Sequence, residues 1–396
     1  MSAGGIASIP GPVATPETAG ERWGYALRRA GTHSLLIWPP LAVAWVFFIG
    51  LTRHAMSLDF QHAYLPAAHA VLDGRTPYPP VTVAALFPRT AFVYPPLTAF
   101  LAAPFTLLPS AAAGLVVAFL VIAAVTGVLY LLEIRDWRCY MIVFLWLPTY
   151  ASIQIGNVTV LVVLGLALLW RYRHRVVAVA VIVGFLIALK LFVWPLLVWL
   201  VATRRIRAAV GAAAAGAGLI VAPWAGIGFL GMRGYPHLLS VLTRAERPDQ
   251  YTISALLARG FSWRVAEIAA FAVGIVVLAA GSRLARRDDR ASFVLTVAAI
   301  LLLSPLVEMH YFLFLLVIVA LYVPRFGPVW VIPLLLWVGP QVGQAADWRT
   351  AAVLATATAT VVLAWRRGER PVSIGPARVV ASGGPAALPR SPVAAE

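Results

Sequence analysis

Long apolar stretches separated by short arginine-rich turns dominate the chain between residues 34 and 365. These stretches do not alternate apolar and polar positions, as half-buried strands would. A helix needs about 20 mostly apolar residues to cross a bilayer, and only helices or closed barrels satisfy their backbone hydrogen bonds in lipid. The pattern therefore predicts an all-α fold, a polytopic transmembrane helix bundle with about 12 spans.

Arginine clusters fall between most of the apolar runs, and cytoplasmic loops of membrane proteins carry such an excess of basic residues. If every cluster is cytoplasmic, residues 93–133 cross only once. Either 93–108 is then re-entrant or the turn at Arg135 is not cytoplasmic. The runs lie at residues 34–51, 93–108, 110–133, 139–153, 157–170, 176–189, 191–202, 208–230, 262–282, 291–307, 309–324, 328–340 and 349–365.

Composition supports the membrane assignment. Hydrophobic residues make up 61% of the 396 positions and charged residues 12%, whereas a soluble domain has about 25% charged residues. The formal net charge of +16 lies in the arginine clusters between apolar runs, which is typical of membrane topology and argues against a nucleic-acid partner. The single Cys139 excludes an intramolecular disulfide and a cysteine-rich metal site.

The two ends of the chain differ from its middle. Residues 1–30 and 368–396 are poor in long apolar runs, and the outermost parts are rich in Pro, Ala, Gly and Ser, which predicts disordered cytoplasmic tails around a transmembrane domain at 31–367. No apolar core of a cleavable signal precedes 34–51, so that run is predicted to be a spanning anchor. The expected location is the cell membrane, with several passes.

With the arginine clusters placed in the cytoplasm, most unusual polar residues fall on the other side. Ionisable groups near a membrane core are costly and usually functional. The sequence therefore predicts a functional site on the extracytoplasmic face. The residues gathered there are Asp59, Asp73, Gln154, Asn157, Lys190, Glu308 and His310.

Two of these residues have a plain structural alternative. Asp59 follows the first span closely and could accept a proton from a substrate hydroxyl, or it could merely end the helix and face water. Asn157 is the only asparagine of the chain and could bind a polar ligand or cap the following helix.

Lys190 is the only lysine among 31 basic residues, and it interrupts an apolar stretch. Its ammonium could reach the interface or hold a phosphate. Glu308 and His310 could bind phosphate or a sugar hydroxyl. Residues two positions apart point to different faces of a regular helix, so these two can share a site only if the helix is broken, and Pro305 favours a break. The alternative is an ordinary polar hairpin.

Common catalytic and nucleotide-binding motifs are absent: there is no P-loop, no GxSxG, no HExxH and no Rossmann fingerprint after a strand. A transferase of this kind would need a donor that arrives through the membrane.

Several motifs in order resemble glycosyltransferase family 87, whose members are polytopic enzymes of the GT-C type. The resemblance covers most of residues 30–325; Ile155 and Met309 stand where the family often has valine and histidine. The motifs are Asp59-Phe60…Tyr64…Ala67-Ala68…Leu72…Gly74…Pro77-Tyr78, Tyr94-Pro95-Pro96-Leu97…Pro104…Leu108-Pro109, Gln154-Ile155-Gly156-Asn157, Lys190, and Ser304-Pro305…Glu308…His310-Tyr311.

The resemblance implies an α-mannosyltransferase that uses polyprenyl-phosphate mannose, with a mannosylated lipid or glycan as acceptor and a catalytic first extracytoplasmic loop. Asp59 would be the general base, and Lys190 and His310 would stabilise the departing phosphate. The product would be an inverted α-mannoside of the phosphatidylinositol mannoside or lipomannan type. No metal or other cofactor is expected. The implied substrate contacts are Tyr64, Tyr94, Gln154, Asn157 and Glu308.

Three other functions remain open at this point. A transferase of another polyprenyl-phosphate sugar, such as arabinose or glucose, would share the fold. A lipid-linked sugar flippase or a transporter would place polar residues near mid-depth and often show internal repeats, and no clear repeat is present. A structural scaffold would leave the isolated Lys190 without a role.

Overall fold

The computed structural model describes residues 19–52, 56–86, 91–247, 250–339 and 347–368, and all regular structure in these ranges is helical, without strands. This confirms the all-α prediction. The α-helices are α1 Ala19–Thr52, α2 Leu65–Leu72, α3 Val83–Leu86, α4 Leu97–Ala102, α5 Ser110–Leu131, α6 Trp137–Val143, α7 Leu147–Ile155, α8 Thr159–Arg171, α9 Val176–Leu189, α10 Pro195–Ala202, α11 Ile206–Gly226, α12 Tyr235–Glu246, α13 Ile253–Leu257, α14 Trp263–Leu284, α15 Asp289–Leu303, α16 Phe314–Tyr322, α17 Pro328–Val331 and α18 Asp347–Gly368.

Five helices are long and apolar enough to cross a membrane, as judged by length and composition in the described ranges. They belong to α1, α5, α11, α14 and α18. Six further apolar helical segments have 10–17 residues, which is shorter than the roughly 20 residues that a perpendicular span needs. Membrane-spanning capacity is therefore confirmed, and shorter helices complete the bundle.

Only small parts of the two predicted tails, residues 19–30 and 368, lie within the described residues. Helix α1 begins at Ala19, so the boundary predicted at residue 31 falls inside a helix. A helix can continue beyond the apolar segment because its backbone hydrogen bonds are internal and do not depend on lipid. Residues 1–18 and 369–396 lie outside the described residues.

The run at 93–108 does not form a spanning helix. It contains α4 followed by a 3₁₀ turn, Ala103–Leu107, and these six and five residues rise only about 19 Å together. Prolines delimit the segment: Pro96 precedes α4, and Pro109 precedes α5. Helix α5 has 22 residues and is long and apolar enough to cross a membrane, so the non-spanning alternative for 93–108 fits the structure.

The helices α8, α9, α10 and α15 each connect an arginine-rich turn to the predicted polar site. Helix α9, for example, follows Arg175 and ends directly before Lys190. Helix α16 is buried along nearly its whole length and lies at the centre of the bundle. The polar residues and the arginine clusters therefore occupy opposite ends of the same helices.

The segment 231–260, which lies between two of the apolar runs, contains α12 and α13. Helix α12 is amphipathic, and its Leu238 and Val241 pack with Leu86 of α3. A 3.6-residue period sets these apolar positions on one face. Helix α12 consequently closes over the polar end of the bundle.

A candidate active site at the polar end

A cavity of about 550 Å³ opens between the segment that joins α1 to α4, α12 and the breaks that follow α9 and α15. Three carboxylates and one ammonium line it: Asp59, Glu246, Glu308 and Lys190. Ligand sites commonly combine an apolar wall with a few convergent polar groups. Aliphatic lining residues include Leu86, Val93, Leu239, Leu242, Leu303 and Leu306.

Two backbone conformations bring Asp59 to the cavity. Asp59 directly precedes a π-helical turn, Phe60–Tyr64, a conformation often found at functional sites. Ser57 has φ 52°, and its hydroxyl donates to the carbonyl of Gly114 at 2.9 Å. Gly156, which ends α7 with φ 67°, packs directly against Ser57. Asp59 therefore lines the cavity as a half-buried residue.

We expect Gly156→Ala to destabilise the protein by roughly 1–3 kcal/mol. A Cβ at residue 156 would lie 2.6 Å from Ser57 Cβ and would also occupy a left-handed backbone conformation. Thermal unfolding can be followed with a thiol-reactive dye, because the only cysteine, Cys139, is buried. Gly260→Ala is the matched control, since a Cβ there meets open space. Equal melting temperatures for the two variants would contradict the close packing.

Asn157 caps the following helix and also bonds to two side chains of the site. Its Oδ1 accepts from the backbone N–H of Thr159 at 3.0 Å, which caps the start of α8. Its Nδ2 donates to Asp59 Oδ2 at 2.9 Å and to the Tyr94 hydroxyl at 2.5 Å. The asparagine thus joins the aspartate to the rigid end of a helix.

Lys190 lies in the break between α9 and α10 and is buried rather than extended to a surface. Its Nζ donates to Thr159 Oγ1 at 2.8 Å and to the Tyr311 hydroxyl at 2.9 Å. The ammonium also lies 4.2 Å from the centroid of the Tyr311 ring. An ammonium has three donors, so a third remains for a ligand in the cavity.

A continuous chain of hydrogen bonds connects the two groups of opposite charge. Asp59 accepts from Asn157, Asn157 accepts from the Thr159 hydroxyl at 2.9 Å, and Thr159 accepts from Lys190. Each group is held by a partner that is itself fixed by a helix start or a helix break. The spacing of carboxylate and ammonium is therefore built into the fold.

The helix is broken at Pro305, as the sequence suggested, but Glu308 and His310 do not share the cavity. Residues 304–308 are not helical, and a 3₁₀ turn begins at Met309. Glu308 lines the cavity, whereas His310 is buried outside its lining, with Nδ1 3.5 Å from Glu308 Oε2. The two side chains are neighbours but do not face the same space.

Of the predicted substrate contacts Tyr64, Tyr94 and Gln154, only Tyr94 lines the cavity. Tyr94 lines the cavity, and the ring of Tyr64 stacks behind it with 4.9 Å between centroids. Gln154 precedes the turn at Gly156 but is not a lining residue. Tyr94 is thus placed to meet a ligand, and Tyr64 is placed to support Tyr94.

Burial raises the pKa of the Asp59 carboxyl from 3.8 to about 6, because it disfavours the charged form. The hydrogen bond from Asn157 and the positive charge of Lys190 both lower this pKa, and the negative charge of Glu246 raises it. A carboxyl with this pKa is ionised at neutral pH but keeps appreciable proton affinity. It is therefore suited to general-base catalysis.

Sequence reasoning missed Thr159, Tyr311 and Glu246. Thr159 stands two residues after Asn157, and Tyr311 follows His310, so both lay beside residues already singled out. Glu246 ends the amphipathic α12, whose cavity-facing Leu239 and Leu242 precede it at helical spacing. An amphipathic period in the segment 231–260 was the available signal.

A protein-family model described as glycosyltransferase family 87 matches residues 92–307, which is more than half of the chain. No curated protein and no solved structure matches the chain significantly.

Proposed function

Because the chain belongs to glycosyltransferase family 87, and is therefore a membrane glycosyltransferase, we propose that it transfers mannose from polyprenyl-phosphate mannose to a mannosylated lipid or glycan. The observation that carries this proposal is the chain of hydrogen bonds that holds a carboxylate, Asp59, and an ammonium, Lys190, on one cavity. Family membership argues against a flippase, a transporter or a scaffold.

In the proposed reaction, Asp59 takes the proton of an acceptor hydroxyl as its oxygen attacks the anomeric carbon. The bond between that carbon and the phosphate oxygen breaks, and the electron pair leaves with the lipid phosphate. Lys190 stabilises the charge that grows on this phosphate, as preorganised donors do in transition states. Attack from the face opposite a β-linked phosphate inverts the carbon and gives an α-mannoside.

The aliphatic wall and the position of the cavity support a lipid-linked substrate. Helix α9 has 14 residues and rises about 21 Å from the arginine turn to Lys190. A hydrocarbon core is about 30 Å thick, so an arginine turn at one membrane surface would place Lys190 below the other. A lipid-linked sugar could enter such a recessed cavity sideways, with its chain along the leucines of α12.

In the proposed topology, the transferase domain at residues 31–367 lies in the membrane. The tails 1–30 and 368–396 lie in the cytoplasm. About twelve crossings then require several segments shorter than about 20 residues, such as α8 and α9, to cross a bilayer that is locally thinned around them. The cavity opens on the extracytoplasmic face, and the first outside loop supplies the base.

The other predicted residues take supporting parts. Tyr94 and Glu308 line the cavity and would contact sugar hydroxyls, whereas Asn157 orients Asp59. Tyr64 supports the ring of Tyr94, and Gln154 precedes the turn that positions Asn157. His310 lies outside the lining, so we assign phosphate contact to Lys190 and a supporting role to His310.

The decisive experiment supplies purified protein with radiolabelled polyprenyl-phosphate mannose and mannosylated membrane lipids. We expect labelled α-mannoside to form in the lipid fraction without added nucleotide sugar. Parallel reactions contain polyprenyl-phosphate glucose or arabinose. Transfer from one of these donors, but not from the mannose donor, would reject mannose while keeping the transferase.

The dependence of activity on pH follows from the raised pKa of Asp59. A base must be ionised, so kcat/KM should fall about tenfold per pH unit below the pKa, which lies at about 6, and level off above it. The measurement is the initial rate of transfer from pH 4.5 to about 8 at low donor concentration. An activity that stays constant down to pH 4.5 would contradict Asp59 as the base.

A further inference from the structure

A second cavity, of about 490 Å³, lies at the opposite end of α9 from Lys190 and is called the arginine pocket here. It is formed where the turn between α8 and α9 meets the turn between α10 and α11. None of the described residues that line it is acidic. The lining residues are Arg173, His174, Val176, Val179, Arg204, Arg205, Ile206, Arg207 and Ala208.

Two of the four arginines are fixed in place. Arg205 Nη1 and Nη2 donate to the two carboxylate oxygens of Asp289 at 3.1 and 2.8 Å, and its guanidinium lies over the Trp199 ring. Arg173 Nε lies 3.5 Å from Asp289, and its Nη1 donates to the carbonyl of Trp170 at 2.8 Å. One carboxylate thus serves two guanidinium groups.

The other two arginines, Arg204 and Arg207, have no hydrogen-bond or ion-pair partner in the part of the chain that the structure describes. Four guanidinium charges against the one carboxylate of Asp289 leave three positive charges around the pocket. Arg204 also has φ 59°, in the left-handed region that favours glycine. An arginine therefore occupies a turn position where glycine would be less strained.

Membrane topology explains an excess of arginine at this end of the helices. It does not explain four arginines around one concavity. Guanidinium groups bind phosphate oxygens in pairs of parallel hydrogen bonds, and basic pockets between helices suit lipid head groups. We infer that the arginine pocket is a binding site for a phosphate group, carried by an anionic phospholipid or by free phosphate.

The test uses the purified full chain in detergent and the melting temperature reported by the buried Cys139. Phosphatidylglycerol, phosphatidylcholine and inorganic phosphate are titrated separately. A ligand that binds only the folded state raises the melting temperature with its concentration. We expect phosphatidylglycerol to stabilise the wild type, and phosphatidylcholine to have at least tenfold weaker effect. Equal stabilisation by inorganic phosphate would identify free phosphate as the source.

The variant Arg204→Gly combined with Arg207→Gln removes the two arginines without partners, and the glycine suits the left-handed turn. In the absence of ligand it should melt no lower than the wild type, because glycine relieves the strained turn, but it should need at least tenfold more ligand for half of the shift. Arg286→Gln with Arg287→Gln is the control, because these exposed arginines of the neighbouring turn do not line the pocket. The inference is overturned if no ligand stabilises the wild type, or if both double variants lose equal affinity.

Discussion

Asp59→Asn is expected to reduce sugar transfer by about 10²–10⁴-fold, the usual contribution of a positioned acid–base group. The amide has nearly the shape of the carboxylate but cannot take a proton from the acceptor hydroxyl. Its oxygen can still accept the hydrogen bond from Asn157, now 2.9 Å long, so the cavity should keep its form. Transfer of labelled mannose under single-turnover conditions measures this loss directly.

Asp73→Asn is the matched control for this substitution. Asp73 belongs to the same outside loop, but it is exposed, and its carboxylate pairs with Arg75 at 2.7 Å. Exposed ion pairs contribute little, so this variant should transfer sugar at the rate of the wild type. Both variants must melt as the wild type does. If Asp59→Asn retains full activity under these conditions, Asp59 is not the base, although the family assignment stands.

The part of the site that could be predicted from the sequence consists of residues that are unusual for their surroundings. Lys190 interrupts an apolar stretch, and Asp59 follows a span, so membrane energetics alone mark both. Pro305 marked the non-helical stretch at residues 304–308, which contains Glu308. These predictions rest on costs that any lipid-embedded chain incurs, and one sequence reveals them.

The contacts among these residues could not be predicted in the same way. Thr159 and Tyr311 are ordinary residues of apolar helices, and only tertiary packing makes them the partners of Lys190. The aspartate reaches Asn157 across 98 positions of the chain because Gly156 admits Ser57 at close range. Separations of this length leave no periodic signal in a sequence.

The fold shows the same division. Hydrophobic length predicted α5 and α14 correctly, because a long apolar run has few alternatives. The run at 93–108 gave an ambiguous signal, since Pro96 and Pro104 permit either a tilted span or a short helix. The structure forms the short helix α4 and its 3₁₀ continuation there. Sequence patterns specify which segments enter the membrane better than how far each segment crosses it.

Lys190→Met should lower the rate of transfer by about 10²–10³-fold, comparable to the removal of a donor that stabilises transition-state charge. Methionine has a similar length and suits the aromatic surroundings of Tyr94, Phe192 and Tyr311, so folding should persist. The loss should fall on kcat when donor is saturating, because the phosphate charge grows as the bond breaks. Loss confined to KM would instead indicate ground-state binding of the donor.

The pH profile separates loss of the Lys190 charge from general damage to the site. The positive charge of Lys190 lowers the pKa of Asp59, so residual activity of Lys190→Met should fall at a higher pH than wild-type activity. Glu246→Gln removes a negative charge that raises the same pKa, and its profile should move to lower pH. If the substitutions merely loosened the cavity, the pH profiles of the two variants would have no reason to shift in opposite directions. Shifts of the same sign would therefore contradict an electrostatic connection between Lys190, Glu246 and the base.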